Sequence, residues 1–204
     1  MTGTIALIDY GAGNLTSVVK GFRAVGADVR VVSAIDDIAG ASAVVVPGVG
    51  HFAATAALTD DWRHAIRSAI DAGVPLLGIC LGLQWLFDGS DESPGLPGLG
   101  LLAGRCFRLS GDVKVPHVGW NTLAFSQAGS RLLEGVADGA SAYFTHSYAA
   151  PIGQATAVET THGVPFAAAV ERDRVFGVQF HPEKSGTTGL RILENFMHVV
   201  RGAR

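Results

Sequence analysis

Along the first half of the chain, apolar residues come in short unbroken runs, separated by stretches with helical periodicity. Thr4–Asp9 is apolar and β-branched and predicts a strand. Asn14 can cap a helix that carries Leu15, Val18, Val19, Phe22 and Val25 on one face and stops at Gly26. Val29–Val32 and Ala43–Val46 predict two further strands, the second running into Pro47-Gly48-Val49-Gly50. A helical stretch is predicted over Phe52–Ala72, ended by Gly73. Val74–Leu77 then reads as a buried strand and Leu83–Phe87 as a helix. Continuous rather than alternating apolar runs belong to strands covered on both faces. The alternation of strand and helix therefore predicts an α/β fold: a doubly wound, mostly parallel central sheet with helices on both faces.

After this the pattern changes. Asp88–Gly100 is rich in Gly, Pro and acid and reads as a loop over the active-site edge. Short strands are predicted near Arg105–Leu109, Thr122–Phe125, Ala142–Thr145, Ala155–Glu159, Phe166–Val170 and Val175–Phe180. Helices are scarce here, so some antiparallel pairing is expected. A closing helix shows an apolar face at Leu190, Leu193, Phe196 or Met197, and Val200. With no repeat and no linker, one domain over residues 1–204 is expected, long enough to bury a full core.

Composition narrows the class. Hydrophobic residues make up 48% of the chain, which argues against disorder. A net charge of −3 gives no electrostatic case for nucleic acid or an anionic membrane as partner. Two cysteines cannot make a disulfide framework, and a reducing cytoplasmic location is expected. The chain starts directly with a strand, so no signal peptide is expected. No apolar run approaches the roughly 18 residues of a membrane span.

The chemistry concentrates at Gly78-Ile79-Cys80-Leu81-Gly82, a turn between a strand and a helix. Gly-x-Cys-x-Gly in that place is a nucleophile elbow with cysteine for serine, its glycines avoiding clashes at a strained turn. The helix N-terminus that follows should favour the thiolate. Cys106, in the strand Arg105–Leu109, reads as structural. A cysteine nucleophile needs a base, and the base an orienting group. Both are offered by Phe180-His181-Pro182-Glu183-Lys184, where a strand ends in His181 and Glu183 lies within reach in a turn. Such residues converge at the C-terminal edge of a parallel sheet. Acyl transfer also needs an oxyanion hole. Leu81 N–H is the first expected donor, and the second should come from Pro47–Gly50, at Val49 or Gly50, where glycine permits a peptide flip.

Two other readings fail. Gly11-Ala12-Gly13 suggests a dinucleotide loop, but Thr16 stands where the third glycine belongs, and Val29-Arg30-Val31 offers no acid for a ribose. His117, His146, His162 and His198 lack the paired spacing of a zinc site, so no metal and no cofactor are expected.

The elbow Gly-Ile-Cys-Leu-Gly-Leu-Gln and the run Phe-His-Pro-Glu-Lys-Ser resemble the class I, or triad, glutamine amidotransferases. Ile8–Leu15, Pro47–Phe52, Pro116-His117-Val118-Gly119-Trp120-Asn121 and Tyr143–Tyr148 are similar to the glutaminase subunits of imidazole glycerol phosphate synthases. The resemblance spans essentially the whole chain. It implies a flavodoxin-like fold, L-glutamine as substrate, and ammonia passed through a tunnel to a separate (β/α)8-barrel cyclase as partner in a heterodimer. It implies Cys80 as nucleophile, His181 as base and then acid, and Glu183 as orienter. Gln84 and the backbone around Ser147 and Tyr148 would hold glutamine, with Glu92 for its ammonium group. Asn14, His117, Trp120 and Asn121 would lie at or near the cyclase interface. Separate glutaminases for other acceptors resemble this chain at the elbow and the His-Pro-Glu run. They usually carry Pro-Gly-Gly-Glu-Ser or Pro-Gly-Pro-Gly where this chain has Pro-Gly-Val-Gly-His-Phe. A non-catalytic scaffold is disfavoured by the intact triad.

Overall fold

A computed structural model describes residues 3–127 and 129–202. The first half is β1 (Thr4–Ile8), α1 (Leu15–Ala24), β2 (Asp28–Val32), β3 (Ala43–Val46), α2 (Asp60–Asp71), β4 (Leu76–Ile79) and α3 (Leu81–Trp85). The second half runs β5 (Gly89–Ser90), β6 (Arg105–Arg108), β7 (His117–Thr122), β8 (Ala124–Phe125), β9 (Ser141–His146), β10 (Tyr148–Ala149), β11 (Thr156–His162), β12 (Val164–Arg172), β13 (Val175–Val178) and α4 (Gly186–Gly202). Eight strands form the main sheet in the order β2-β1-β3-β4-β13-β12-β11-β8. The first five are parallel and β12, β11 and β8 add antiparallel, which is the mixture the change of pattern after residue 100 implies.

Both faces of the parallel part are buried, and each strand alternates between two cores. Ile5 and Leu7 of β1 join Phe22, Phe176 and Phe196 under α1 and α4. Ala6 and Ile8 join Trp62, Ile66 and Trp85 under α2 and α3. This two-sided burial is why the runs carry no polar alternation.

Three differences from the sequence reading have physical causes. The helix expected over Phe52–Ala72 is two elements: a 3-10 turn at Phe52–Ala57 and then α2, which starts behind Thr59 with Asp60 and Asp61 in its first turn. Acids at that position favour a new N-terminus over a continued helix. The segment His117–Thr122 is a strand, paired along its length with β9, where strand was expected from Thr122 onward. Its glycine and polar residues hide it, because one face meets solvent. The loop at 88–100 contains the two-residue strand β5, paired with β6.

The functional edge depends on one contact between backbones. A Cβ at Gly82 would lie 1.9 Å from the Val46 carbonyl oxygen, and one at Gly78 would lie 2.6 Å from the Gly82 carbonyl oxygen. Strand β3 and the start of α3 thus touch through backbone alone. Gly82→Ala should push α3 off β3, lowering the thermal midpoint and costing at least the ~1–3 kcal/mol of an overpacked core. A calorimetric scan reads this, and an unchanged midpoint would show that the contact is not needed.

Candidate active site

Four parallel strands end at the same edge and each delivers a part of the site. Strand β1 leads to Tyr10, β3 to Pro47–Gly50, β4 to Cys80 and β13 to His181. Cys80 sits at φ 54°, ψ −105°, a conformation a non-glycine residue adopts only under constraint. The constraint is visible: Cys80 N–H donates to Val178 O at 2.7 Å, and its carbonyl receives Gln84 N–H at 3.1 Å. Its sulfur opens on a cleft of about 300 Å³, lined also by Gly50, His51, Leu81, Gln84, Glu92, Pro116, Thr145, His146, Ser147 and Tyr148.

His181 and Glu183 lie behind the cysteine, both buried, with Nδ1 and Oε1 2.8 Å apart. The 3-10 turn Pro182–Lys184 brings the carboxylate back to the ring two residues on. Burial alone would lower the imidazole pKa. Interaction with the Cys80 sulfur and with Glu183 outweighs it and raises the pKa well above the ordinary range, so His181 is an imidazolium at neutral pH. Among the described residues, Nε2 of His181 has no hydrogen-bond partner, which leaves it free to give or take a proton. The His181 backbone is fixed too: its N–H donates to Tyr143 O at 2.9 Å, and its carbonyl accepts from Ser185 Oγ at 2.7 Å.

The oxyanion hole is closed at rest. Leu81 N–H points at Gly48 O, 3.4 Å away. In a trans peptide the N–H opposes the carbonyl, so Val49 N–H faces away from the sulfur. Gly50 lines the cleft at φ +96°, a value open to glycine and costly for other residues. The neighbouring Tyr10 hydroxyl donates to Pro47 O at 2.8 Å. Burial, then the charge of Cys80, pushes that phenol's pKa upward, so it stays a donor.

α3 spans Leu81–Trp85, two residues earlier than the Leu83–Phe87 that was expected, and its first N–H, that of Leu81, is committed to Gly48. The helix N-terminus therefore offers the sulfur one N–H fewer than expected.

The residues expected to hold glutamine do meet in the cleft, with their valences partly spent. Gln84 Nε2 donates to Tyr148 O at 2.7 Å and to Gln179 Oε1 at 3.2 Å, so its Oε1 is what remains for a ligand. Ser147 O accepts from Leu109 N–H at 2.9 Å. Glu92 Oε2 accepts from Phe52 N–H at 2.7 Å, just beyond the Pro47–Gly50 loop. Cys106 is fully buried, and burial above all raises its thiol pKa and keeps it protonated, as a structural role requires.

Of the expected interface set, Trp120 is 58% exposed and Asn14, exposed, caps α1 by accepting from Ser17 N–H. His117 is buried: the alternation of β7 turns its ring inward, where it stacks on His162 and Phe144. Asn121 Nδ2 lies 3.2 Å from His117 Nε2. Strand pairing opposes His117 to His146 and brings His162 alongside, a cluster that sequence spacing could not show. Gln179 and Tyr10 were also missed. The one available signal for Gln179 is its place two residues before His181, which puts both side chains on the same side of an extended chain.

A family model described as glutamine amidotransferase class-I matches residues 6–200. The chain is 46% identical over 198 residues to the imidazole glycerol phosphate synthase subunit HisH of Methanothermobacter thermautotrophicus, covering 97% of this chain and 99% of that one. It is 48% identical to the subunit of the same name from Thermococcus kodakarensis, covering 94% and 98%. Among solved structures it resembles PurLQS from Thermotoga maritima, at TM-score 0.78 and 18% identity over 97% of this chain and 99% of that one. It also resembles a glutamine amidotransferase at TM-score 0.75 and 18% identity, covering 96% and 98%. At those identities the structural likeness shows the fold.

The Cys80 sulfur and then the Glu183 carboxylate hold the His181 ring charged, which has a pH consequence. The folded-state pKa, near 10, lies above the unfolded value of about 6.5. The pair's contribution to stability is then full below about pH 6.5 and fades as pH rises through the folded value. Glu183→Gln should move the imidazole titration toward lower pH in an NMR experiment, with a stability cost that is largest just below about pH 6.5 and shrinks as pH rises. An unmoved titration would remove Glu183 as the orienting group.

Proposed function

The chain belongs to the class-I glutamine amidotransferase family and is a glutaminase of histidine biosynthesis; on that premise we propose that Cys80, His181 and Glu183 hydrolyse L-glutamine and that the ammonia goes to a separate cyclase subunit. The observation that carries the residue roles is Cys80 at positive φ on the cleft, backed by the buried His181–Glu183 pair at 2.8 Å. The Cys80 sulfur attacks the side-chain carboxamide carbon of glutamine. The oxyanion forms toward Leu81 N–H once the Gly48–Val49 peptide has turned Val49 N–H inward. His181 gives its proton to the leaving nitrogen, and ammonia departs from a thioester on Cys80. His181 then takes a proton from water as its oxygen attacks the thioester, and glutamate leaves as the Cys80 thiolate beside a charged His181 is restored. Gln84 Oε1, Glu92 and the Ser147–Tyr148 backbone hold the amino acid.

The subunit naming of the relatives supports a second subunit as partner, and the family resemblance supports a cyclase of (β/α)8-barrel form. It would use the ammonia on a phosphoribulosyl-formimino carboxamide ribonucleotide, making imidazole glycerol phosphate and aminoimidazole carboxamide ribotide. The exposed face of β7, with Val118 and Trp120, is the surface offered to it, and exposed Asn14 is expected to contribute as well. That face is one strand away from the chemistry. Trp120 opposes Tyr143 in the β7–β9 pair, and Tyr143 O holds the His181 N–H. We take residues 1–204 as one glutaminase domain, acting in the cytoplasm. Among the described residues, no helix is long and apolar enough to cross a membrane.

Cys80→Ala should abolish glutamine-dependent synthesis by the reconstituted pair while synthesis from ammonium salts persists. Glutamine turnover in that variant would sink the triad.

The closed oxyanion hole implies low activity alone. A partner opens it only by binding the open state better. Glutamine hydrolysis should rise from the lone subunit to the complex, and again when the acceptor ligand is bound. Equal rates in the three states would disprove the coupling and leave the glutaminase assignment intact.

A further inference from the structure

Gln179 is wholly buried, and its side-chain amide lies against the nucleophile: Nε2 donates to Cys80 Sγ at 3.6 Å. The polarity of that contact is fixed by its neighbours. Gln179 Oε1 accepts from Gln84 Nε2, whose other proton goes to Tyr148 O. The same carbonyl accepts from His146 Nδ1 at 2.9 Å. Burial chiefly pushes the pKa of His146 down to about 3, so the ring is neutral and its Nε2 is a bare acceptor. It receives the proton of His117 Nδ1 at 3.0 Å. His117, lowered to about 4 by burial and then by His162, is also neutral, and its Nε2 accepts from Asn121 Nδ2. Asn121 has no freedom to turn, because Nδ2 also donates to Thr161 O at 3.0 Å and Oδ1 accepts from Thr122 N–H at 2.8 Å. Each nitrogen and oxygen from Asn121 to the sulfur therefore has one role, with buried groups losing a partner if any member rotates.

Other groups face the sulfur. His181, backed by Glu183, is a cation beside it. The Tyr10 phenol is neutral and spends its proton on Pro47 O. Thr145 O, 4.0 Å away, accepts from the thiol and offers nothing to a thiolate. Leu81 N–H is taken by Gly48 O. Beside His181, Gln179 is thus the donor positioned for the charged sulfur at rest.

We propose that Gln179 is a further catalytic residue: its amide, aimed through the chain from Asn121 on the partner-facing strand, hydrogen-bonds the Cys80 sulfur and stabilises it when charged. This rests on Cys80 being the nucleophile. Removing the donor should make the thiolate harder to form without touching the triad.

The test follows the ultraviolet absorbance of the thiolate against pH in the full chain, with Cys80→Ala as the blank that removes Cys106. In Gln179→Met, which keeps the length and loses the donor, the absorbance step should move to higher pH by about one unit, or about tenfold less thiolate at a given pH below it. His146→Phe, three hydrogen bonds back along the chain from Gln179, should move it in the same direction by less. A melting curve establishes that each variant is folded, and if Gln179→Met is not, His146→Phe decides. An unmoved or lowered step in a folded variant overturns the inference while leaving Cys80 as the nucleophile. Glutamine turnover by Cys80→Ala would instead overturn the nucleophile assignment itself.

Discussion

The site depends on a backbone constraint: Cys80 is held at positive φ between a strand and a helix packed too closely for any side chain to intervene. The hydrogen bond from Cys80 N–H to Val178 O ties the elbow to β13, and the Gly82–Val46 contact ties it to β3. Those two strands lead to His181 and to Pro47–Gly50. Cys80, His181 and the Pro47–Gly50 loop are therefore positioned by one junction, and their relative geometry follows from the parallel register of β3, β4 and β13. The strain at Cys80 is sustained by the surrounding sheet, as strained nucleophile turns require.

Around that junction the histidines divide by environment into opposite roles. His181 has a carboxylate partner and a sulfur beside it and is held charged. His117 and His146 are buried among rings and a backbone carbonyl and are held neutral. A second cation near the sulfur would compete with His181 for the thiolate, so the neutrality of His146 matters to the chemistry as well as to the packing. The same neutral pair joins the β7 strand, with its exposed Trp120, to the wall of the cleft. The oxyanion loop is built for change in its middle: Tyr10 holds Pro47 and Glu92 holds Phe52, while Gly48–Gly50 lie between.

The parallel half of the fold and the placing of Cys80, His181 and Glu183 at one sheet edge could be read from the sequence because they depend on local signals. Unbroken runs such as Ala43–Val46 mark strands buried on both faces, and Gly78–Gly82 marks the elbow with its own glycines. His181 and Glu183 share one turn, so their pairing is nearly local too. The residues that were missed depend on long-range register. His117 meets His146 through the β7–β9 pairing, and Gln179 meets Cys80 through β13 and β4, and neither distance is written in spacing. The break between Ala57 and Asp60 was hidden because helical periodicity continues across it. The closed oxyanion hole is a matter of one peptide's orientation, which sequence leaves open wherever glycine stands.

The central claim is that Cys80 carries the substrate's acyl group through a thioester while His181 handles the protons. Acid-quenching the enzyme during glutamine turnover, in the presence of its cyclase partner, and mapping adducts by mass spectrometry tests it most directly. A γ-glutamyl group should be found on the peptide containing Cys80 and not on that containing Cys106, and it should accumulate when deacylation is slowed. Turnover with no adduct on Cys80, or with the adduct on another residue, would contradict the account.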